Sequence, residues 1–129
     1  MIKDYSVEIS ESSRPLTPKE KVALKNANGA IKLDEATKNG DVFITPVGYA
    51  ILVIHNEKSA DKEYQQYVIF DVSGEKYITG SKSFFETFID IYTELNDENG
   101  DQLEPYQLKV IRKPSKNYKG KEFISCEVI

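Results

Sequence analysis

The stretch YQQYVIFDVSGEKYITGSKSFFETFIDIYTEL, Tyr64–Leu95, changes its period part-way along. As far as Thr79, two β-prone runs flank Ser73-Gly74, which predicts a hairpin with a tight turn. From Ser83 the period becomes helical. Phe84, Phe88, Ile91 and Leu95 fall on one stripe with Phe85, Ile89 and Tyr92, and Glu86, Asp90 and Glu94 lie on the other side. Ser83, followed three residues later by Glu86, predicts a capping box at the helix start.

Working outward, VFITPVGYAILVI, Val42–Ile54, is long for one strand, and Pro46 and Gly48 interrupt it where a bulge or bend is tolerated. It reads as one strongly curved strand, joined to the hairpin by the polar loop HNEKSADKE. Downstream, Asn96 to Pro105 is a polar loop, and YQLKVIRK and KEFISCEVI read as two last strands around the loop PSKNYKG, residues 114–120. The first forty residues differ in texture. Thr17 as N-cap with Pro18 at the first helical position predicts a short helix, and AIKLDEATKNG predicts a strand leading into a helical turn.

The order β-β-β-α-β-β from Asp41, with a curved first strand, is that of the OB-fold, a five-stranded Greek-key barrel. The expected organisation is an OB domain over residues 41–129 behind a short, partly helical N-terminal extension, residues 1–40. OB barrels bind oligonucleotides or oligosaccharides across strands 2 and 3 and between the loops joining strands 1 to 2 and 4 to 5. The second of those loops is PSKNYKG.

At 129 residues the chain has the length of one domain, and its 40% hydrophobic and 29% charged content is that of a globular protein. No apolar run is long enough for a membrane helix, and MIKDYSVEIS lacks the basic and apolar regions of a secretory signal, so the chain reads as cytosolic. Its single cysteine, Cys126, lies in the alternating run FISCEVI and reads as a buried structural thiol. The net charge of -4 conceals a segregation. Glu86 to Glu104 holds seven acids and no base, whereas Tyr106 to Lys121 holds six bases and no acid. A basic stripe on an acidic body concentrates a polyanion locally while the rest of the surface limits adhesion.

Binding single strands with little sequence preference requires cations along the phosphate path and rings on which bases stack. The cations are Lys109, Arg112, Lys113, Lys116, Lys119 and Lys121. In the second strand Gln66, Val68, Phe70 and Val72 form the more apolar face, which places Tyr67 outward; in the third, Ile78 faces inward and Tyr77 outward. In the last strand Ile124, Cys126 and Val128 suit the core, so Phe123 faces out beside the loop carrying Tyr118. Tyr67, Tyr77, Tyr118 and Phe123 are the candidate rings.

Catalytic chemistry finds little support. The only histidine, His55, has no second histidine or cysteine at metal-ligand spacing and reads as a hairpin-end residue. Glu86, Asp90 and Glu94 read as a solvated helix face. GSKS, Gly80–Ser83, departs from a phosphate-binding loop because Ser81 separates Gly80 from Lys82 and the next glycine back is Gly74. No catalytic residue, metal or cofactor is assigned.

The residues YVIFDVSGEKYITGSKSFFETFIDIY and KPSKNYKGKEFISCEVI resemble those of small single-stranded-DNA-binding proteins encoded by phages and mobile elements of Gram-positive bacteria. The resemblance covers roughly Asp41 to Ile129. It implies an OB-fold without catalysis that protects single-stranded DNA during replication or recombination. Its partners would be single-stranded DNA and replication or recombination proteins, with a homodimer as one oligomeric state open to it. There is no tryptophan, so stacking falls to Tyr and Phe. The sequence ends at CEVI without a flexible acidic tail, so tail-mediated recruitment of partner enzymes is not expected. The alternative reading is a protein-interaction module on the same barrel, its basic loop contacting an acidic partner.

Overall fold

Pro46 divides the long apolar run after Asp41 between two sheets. The computed structural model describes residues 4–26 and 29–129. In chain order the elements are β1 Tyr5–Ser12, α1 Pro18–Lys25, β2 Ile31–Lys32, α2 Leu33–Ala36 running into a 3-10 turn at Thr37–Asn39, β3 Val42–Ile44, β4 Pro46–Asn56, β5 Glu63–Asp71, β6 Lys76–Thr79, α3 Lys82–Leu95, β7 Leu108–Pro114 and β8 Glu122–Val128. A five-stranded sheet has the order β1-β4-β5-β6-β2, and a three-stranded sheet the order β3-β7-β8. β3 and β4 therefore place the predicted curved strand in both sheets. The register slips between Pro46 and Gly48. At this corner the Asp71 carboxylate accepts from the Thr45 N–H at 2.6 Å and the Ser73 N–H at 2.9 Å. Burial acts to raise the Asp71 carboxyl, but these hydrogen bonds outweigh it and leave it below its ordinary value.

The expected closed barrel does not form. β2 takes the edge of β6 in parallel, Ile31 beside Tyr77 and Lys32 beside Ile78, and among the described residues β8 pairs with β7 alone. The gap between the sheets is filled by α3, whose Phe84, Phe85, Phe88 and Tyr92 are buried. Its cap is Ser81 rather than Ser83. The Ser81 hydroxyl accepts from the Phe84 N–H at 3.3 Å, while Ser83 already lies in the first turn.

The first forty residues supply the sheet's two outer strands, β1 and β2. The strand β1 has no counterpart in the sequence reading. α1 starts as predicted: Thr17 accepts from Glu20 N–H at 3.2 Å, and Glu20 accepts from Thr17 N–H at 3.0 Å.

Both faces of the larger sheet carry a packed cluster. One packs Tyr49, Ile51, Tyr67, Ile69 and Tyr77 against α3 and against Ile44, Leu108, Val110, Ile124 and Cys126 of the smaller sheet. The other packs Ala50, Leu52, Val68 and Ile78 beneath Leu24 of α1, with Val7, Ile9, Leu16 and Phe70 around them. Double burial accounts for the unbroken apolar run Ala50–Ile54, since a strand covered on both faces has no side left for polar alternation.

Candidate nucleic-acid interface

Cross-strand register decides which side chains share the exposed face of the smaller sheet. Val110 pairs with Cys126 and Arg112 with Ile124, and Val110, Ile124 and Cys126 are buried. Period-two alternation then sends Lys109, Ile111, Lys113, Phe123 and Ser125 to the opposite face. Phe43, opposite Lys109 in β3, joins them. Phe43 is 49% and Phe123 43% exposed, and Tyr118 in the hairpin loop is 67% exposed.

The loop is held by its own backbone. Ser115 N–H donates to the Lys121 carbonyl at 2.8 Å, Lys121 N–H donates to the Tyr118 carbonyl at 3.1 Å, and Gly120 turns the chain at φ +81°. A cleft of about 700 Å³ opens between Pro114, Tyr118 and Phe123, rimmed by Lys113, Lys116 and Lys121. Among the described residues Lys113, Lys116, Lys119 and Lys121 have no carboxylate within 4.0 Å, and Glu122 is turned to the Arg112 Nε at 3.6 Å. Unpaired cations beside exposed ring faces can hold an anion and an aromatic ring at once.

Four of the expected site residues sit elsewhere or are otherwise engaged. Tyr67 is 4% exposed and stacks on Phe85, with its hydroxyl donating to Gln65 Oε1 at 3.0 Å. Tyr77, half-buried, packs against the same core. Both phenols are raised above their ordinary pKa, by burial first and then by nearby carboxylates. The expectation that they face outward is overturned, because Phe85 offers Tyr67 a ring inside the protein. Nor is the other side of β5 and β6 free where α1 crosses it, since Val68 and Ile78 pack there with Leu24. Arg112 points inward beside Ile124 and donates to the Asp34 carbonyl at 2.8 Å and the Thr37 hydroxyl at 3.3 Å, tying the α2 turn to β7. Lys109 is on the exposed face but lies 3.6 Å from Asp41 and 4.0 Å from Glu127, which offset its charge.

The structure thus brings Lys113, Lys116, Tyr118, Lys121 and Phe123 together around the cleft, with Lys119 in the same loop, and places Phe43 on the same face of the sheet four residues along β7 from the Phe123 pair. The signal for Phe43 was present in VFI, where a core Ile44 requires its neighbour to face out.

Elsewhere, His55 lies 2.8 Å from Glu57 and 3.8 Å from Glu63. Among the described residues no three His, Cys, Asp or Glu side chains converge as metal ligands, and no helix is long and apolar enough to cross a membrane. Burial raises the Cys126 thiol to about 12, which disfavours its nucleophilic thiolate. No family model matches the chain, and neither a curated protein nor a solved structure shows significant similarity to it.

Proposed function

We propose that this protein binds single-stranded DNA with little sequence preference and without catalysis, on the exposed face of β3-β7-β8 and the β7–β8 hairpin. The two sheets are read as an opened OB barrel, in which β3–β4 is the shared first strand and β2 replaces the closing contact between β6 and β8. The observation that carries the function is the pairing of Tyr118 and Phe123 at one cleft with lysines that have no carboxylate within 4.0 Å among the described residues, and Phe43 farther along the same face of the sheet. Each base has a π-face and each nucleotide a phosphate, so this surface suits any sequence. Protection of single strands during phage or mobile-element replication or recombination is the role proposed for it.

The test is a fluorescence-anisotropy titration with oligo-dT and with duplex DNA of equal length. Tighter binding of the single strand, abolished in Tyr118→Ala/Phe123→Ala, is expected. Equal affinity for both, or an undiminished affinity in that variant, would replace this reading with an acidic protein as the hairpin's partner.

A further inference from the structure

A second cleft, of about 300 Å³, lies on the outer face of the larger sheet, away from the hairpin. α1 buries a single residue, Leu24, and ends at Lys25, beyond which the cleft opens on the sheet among the described residues. Register builds the floor. Val7 pairs with Ile54 and Ile54 with Tyr64, so the three lie in one row across β1, β4 and β5; Leu52 and Gln66 form the next row. Tyr5, exposed, closes one side. Lys25 from α1 and Lys32 from β2 stand at the rim, both exposed, and neither has a carboxylate within 4.0 Å among the described residues.

The charge balance separates this cleft from its neighbours. Among the described residues its lining contains two lysines and no acid, in a chain of net charge -4. The adjoining clefts along β1 and α1 mix Glu8 and Glu11 with Lys21 and with Lys25, which stands on the rim between the two clefts, or Arg14 and Lys76 with Glu20 and Asp71. An apolar floor with two tyrosines, the two amides of Asn26 and Gln66, and lysines at the rim fits a flat ring joined to an anion.

We propose that this cleft is a binding site for one nucleotide unit, its base on the Tyr64–Ile54–Leu52 floor within reach of Gln66, and its phosphate at Lys25 and Lys32. The site is built from other residues than the hairpin and does not rest on that reading. Its ligand is either a free nucleotide or one unit of a longer strand, which share this chemistry.

The experiment follows backbone amide shifts of the full-length protein by two-dimensional NMR in three titrations, with dTMP, oligo-dT and inorganic phosphate. Shifts at Val7, Tyr64, Gln66 and Ile78 with dTMP support a free-nucleotide site; the same shifts with oligo-dT alone support a strand unit. No shift at these amides with either probe overturns the proposal, as does an identical response to phosphate, which would leave no role for the base. Lys25→Ala/Lys32→Ala, which alters exposed side chains alone, is expected to weaken nucleotide binding at this site by roughly tenfold. Tyr64→Ala has a similar effect because it removes the stacking surface, and Tyr64→Phe retains binding. Undiminished binding in the lysine variant sinks the phosphate assignment. Lys116→Ala/Lys119→Ala leaves the cleft's shifts with dTMP unchanged, so failure at the hairpin and failure here are read separately.

Discussion

Tyr67 and Phe85 lie face to face, with ring centroids 4.3 Å apart and planes 14° from parallel. The contact joins β5 to α3 inside the core, so replacing Tyr67 removes a buried ring rather than a DNA contact. Tyr67→Ala is expected to cost about 3–5 kcal/mol of stability, in the range of buried aromatic truncations. Tyr67→Phe keeps the stack, loses only the bond to Gln65, and is expected to cost about 1 kcal/mol. Urea unfolding measures both. Affinity for oligo-dT, measured where each variant remains folded, stays at the wild-type value; a loss in Tyr67→Phe would return this ring to the binding site.

The strand order from Val42 on, the bend at Pro46, α3 and both N-terminal helical turns were legible because each has a local cause: a breaker, a period or a cap. The faces of β5 and β6 were not. Alternation separates two faces, but on a strand covered by α3 on one side and α1 on the other both faces are core, and no single-strand pattern says which cover is present. Barrel closure failed for a related reason: a strand near Ile31 was expected, but nothing local says that it takes the edge of β6. On β8 one face is solvated, and Phe123 faces out as expected while Ile124 and Cys126 are buried; Val128, expected in the core, lies exposed at the strand's end. Arg112 differs because its partners, Asp34 and Thr37, are more than 70 residues away in sequence.

Arg112 and Lys113 are adjacent in sequence and point to opposite faces of β7, so their alanine variants should differ in kind. Lys113→Ala, like Lys116→Ala and Lys119→Ala, weakens single-strand binding and makes the salt dependence shallower by about 0.7 in log K against log salt for each phosphate that is no longer neutralised. With two to four of these lysines engaged at once, the wild-type slope is expected at about -1.4 to -2.8. Arg112→Ala frees the α2 turn and lowers the unfolding midpoint, while the salt slope stays as in wild type. A slope equally changed by Arg112→Ala would place its guanidinium on the phosphate path.

Glu20 at the start of α1 provides a pH test. The hydrogen bond from Arg14, followed by that from Thr17, holds its carboxyl down from the ordinary 4.5 to about 2. A carboxyl lowered on folding contributes stability that is present above its unfolded pKa and lost as pH falls through the folded one. The difference in thermal midpoint between wild type and Glu20→Gln should therefore be constant above about pH 5 and shrink as pH falls towards 2. A difference that persists unchanged to pH 2 would assign the effect to packing rather than to charge.

Gly100 and Gly120 both adopt positive φ, +88° and +81°, yet alanine should be tolerated at only one of them. At Gly120 a Cβ meets nothing within 4 Å, so Gly120→Ala costs only the left-handed backbone penalty of about 1–2 kcal/mol. At Gly100 a Cβ would run into the Val47 carbonyl oxygen. That loop cannot simply shift, because the buried Asn96 donates at 3.1 Å both to the Gly100 carbonyl and to the Pro46 carbonyl at the bend between the sheets, and Tyr106 donates to Asn96. Overpacking adds about 1–3 kcal/mol to the backbone penalty, so Gly100→Ala is expected to lose about 2–5 kcal/mol. Urea midpoints at unchanged m measure the difference. Equal losses in the two variants would mean that the Asn96 clamp yields, and that the bend at Pro46 is held from the Asp71 side alone.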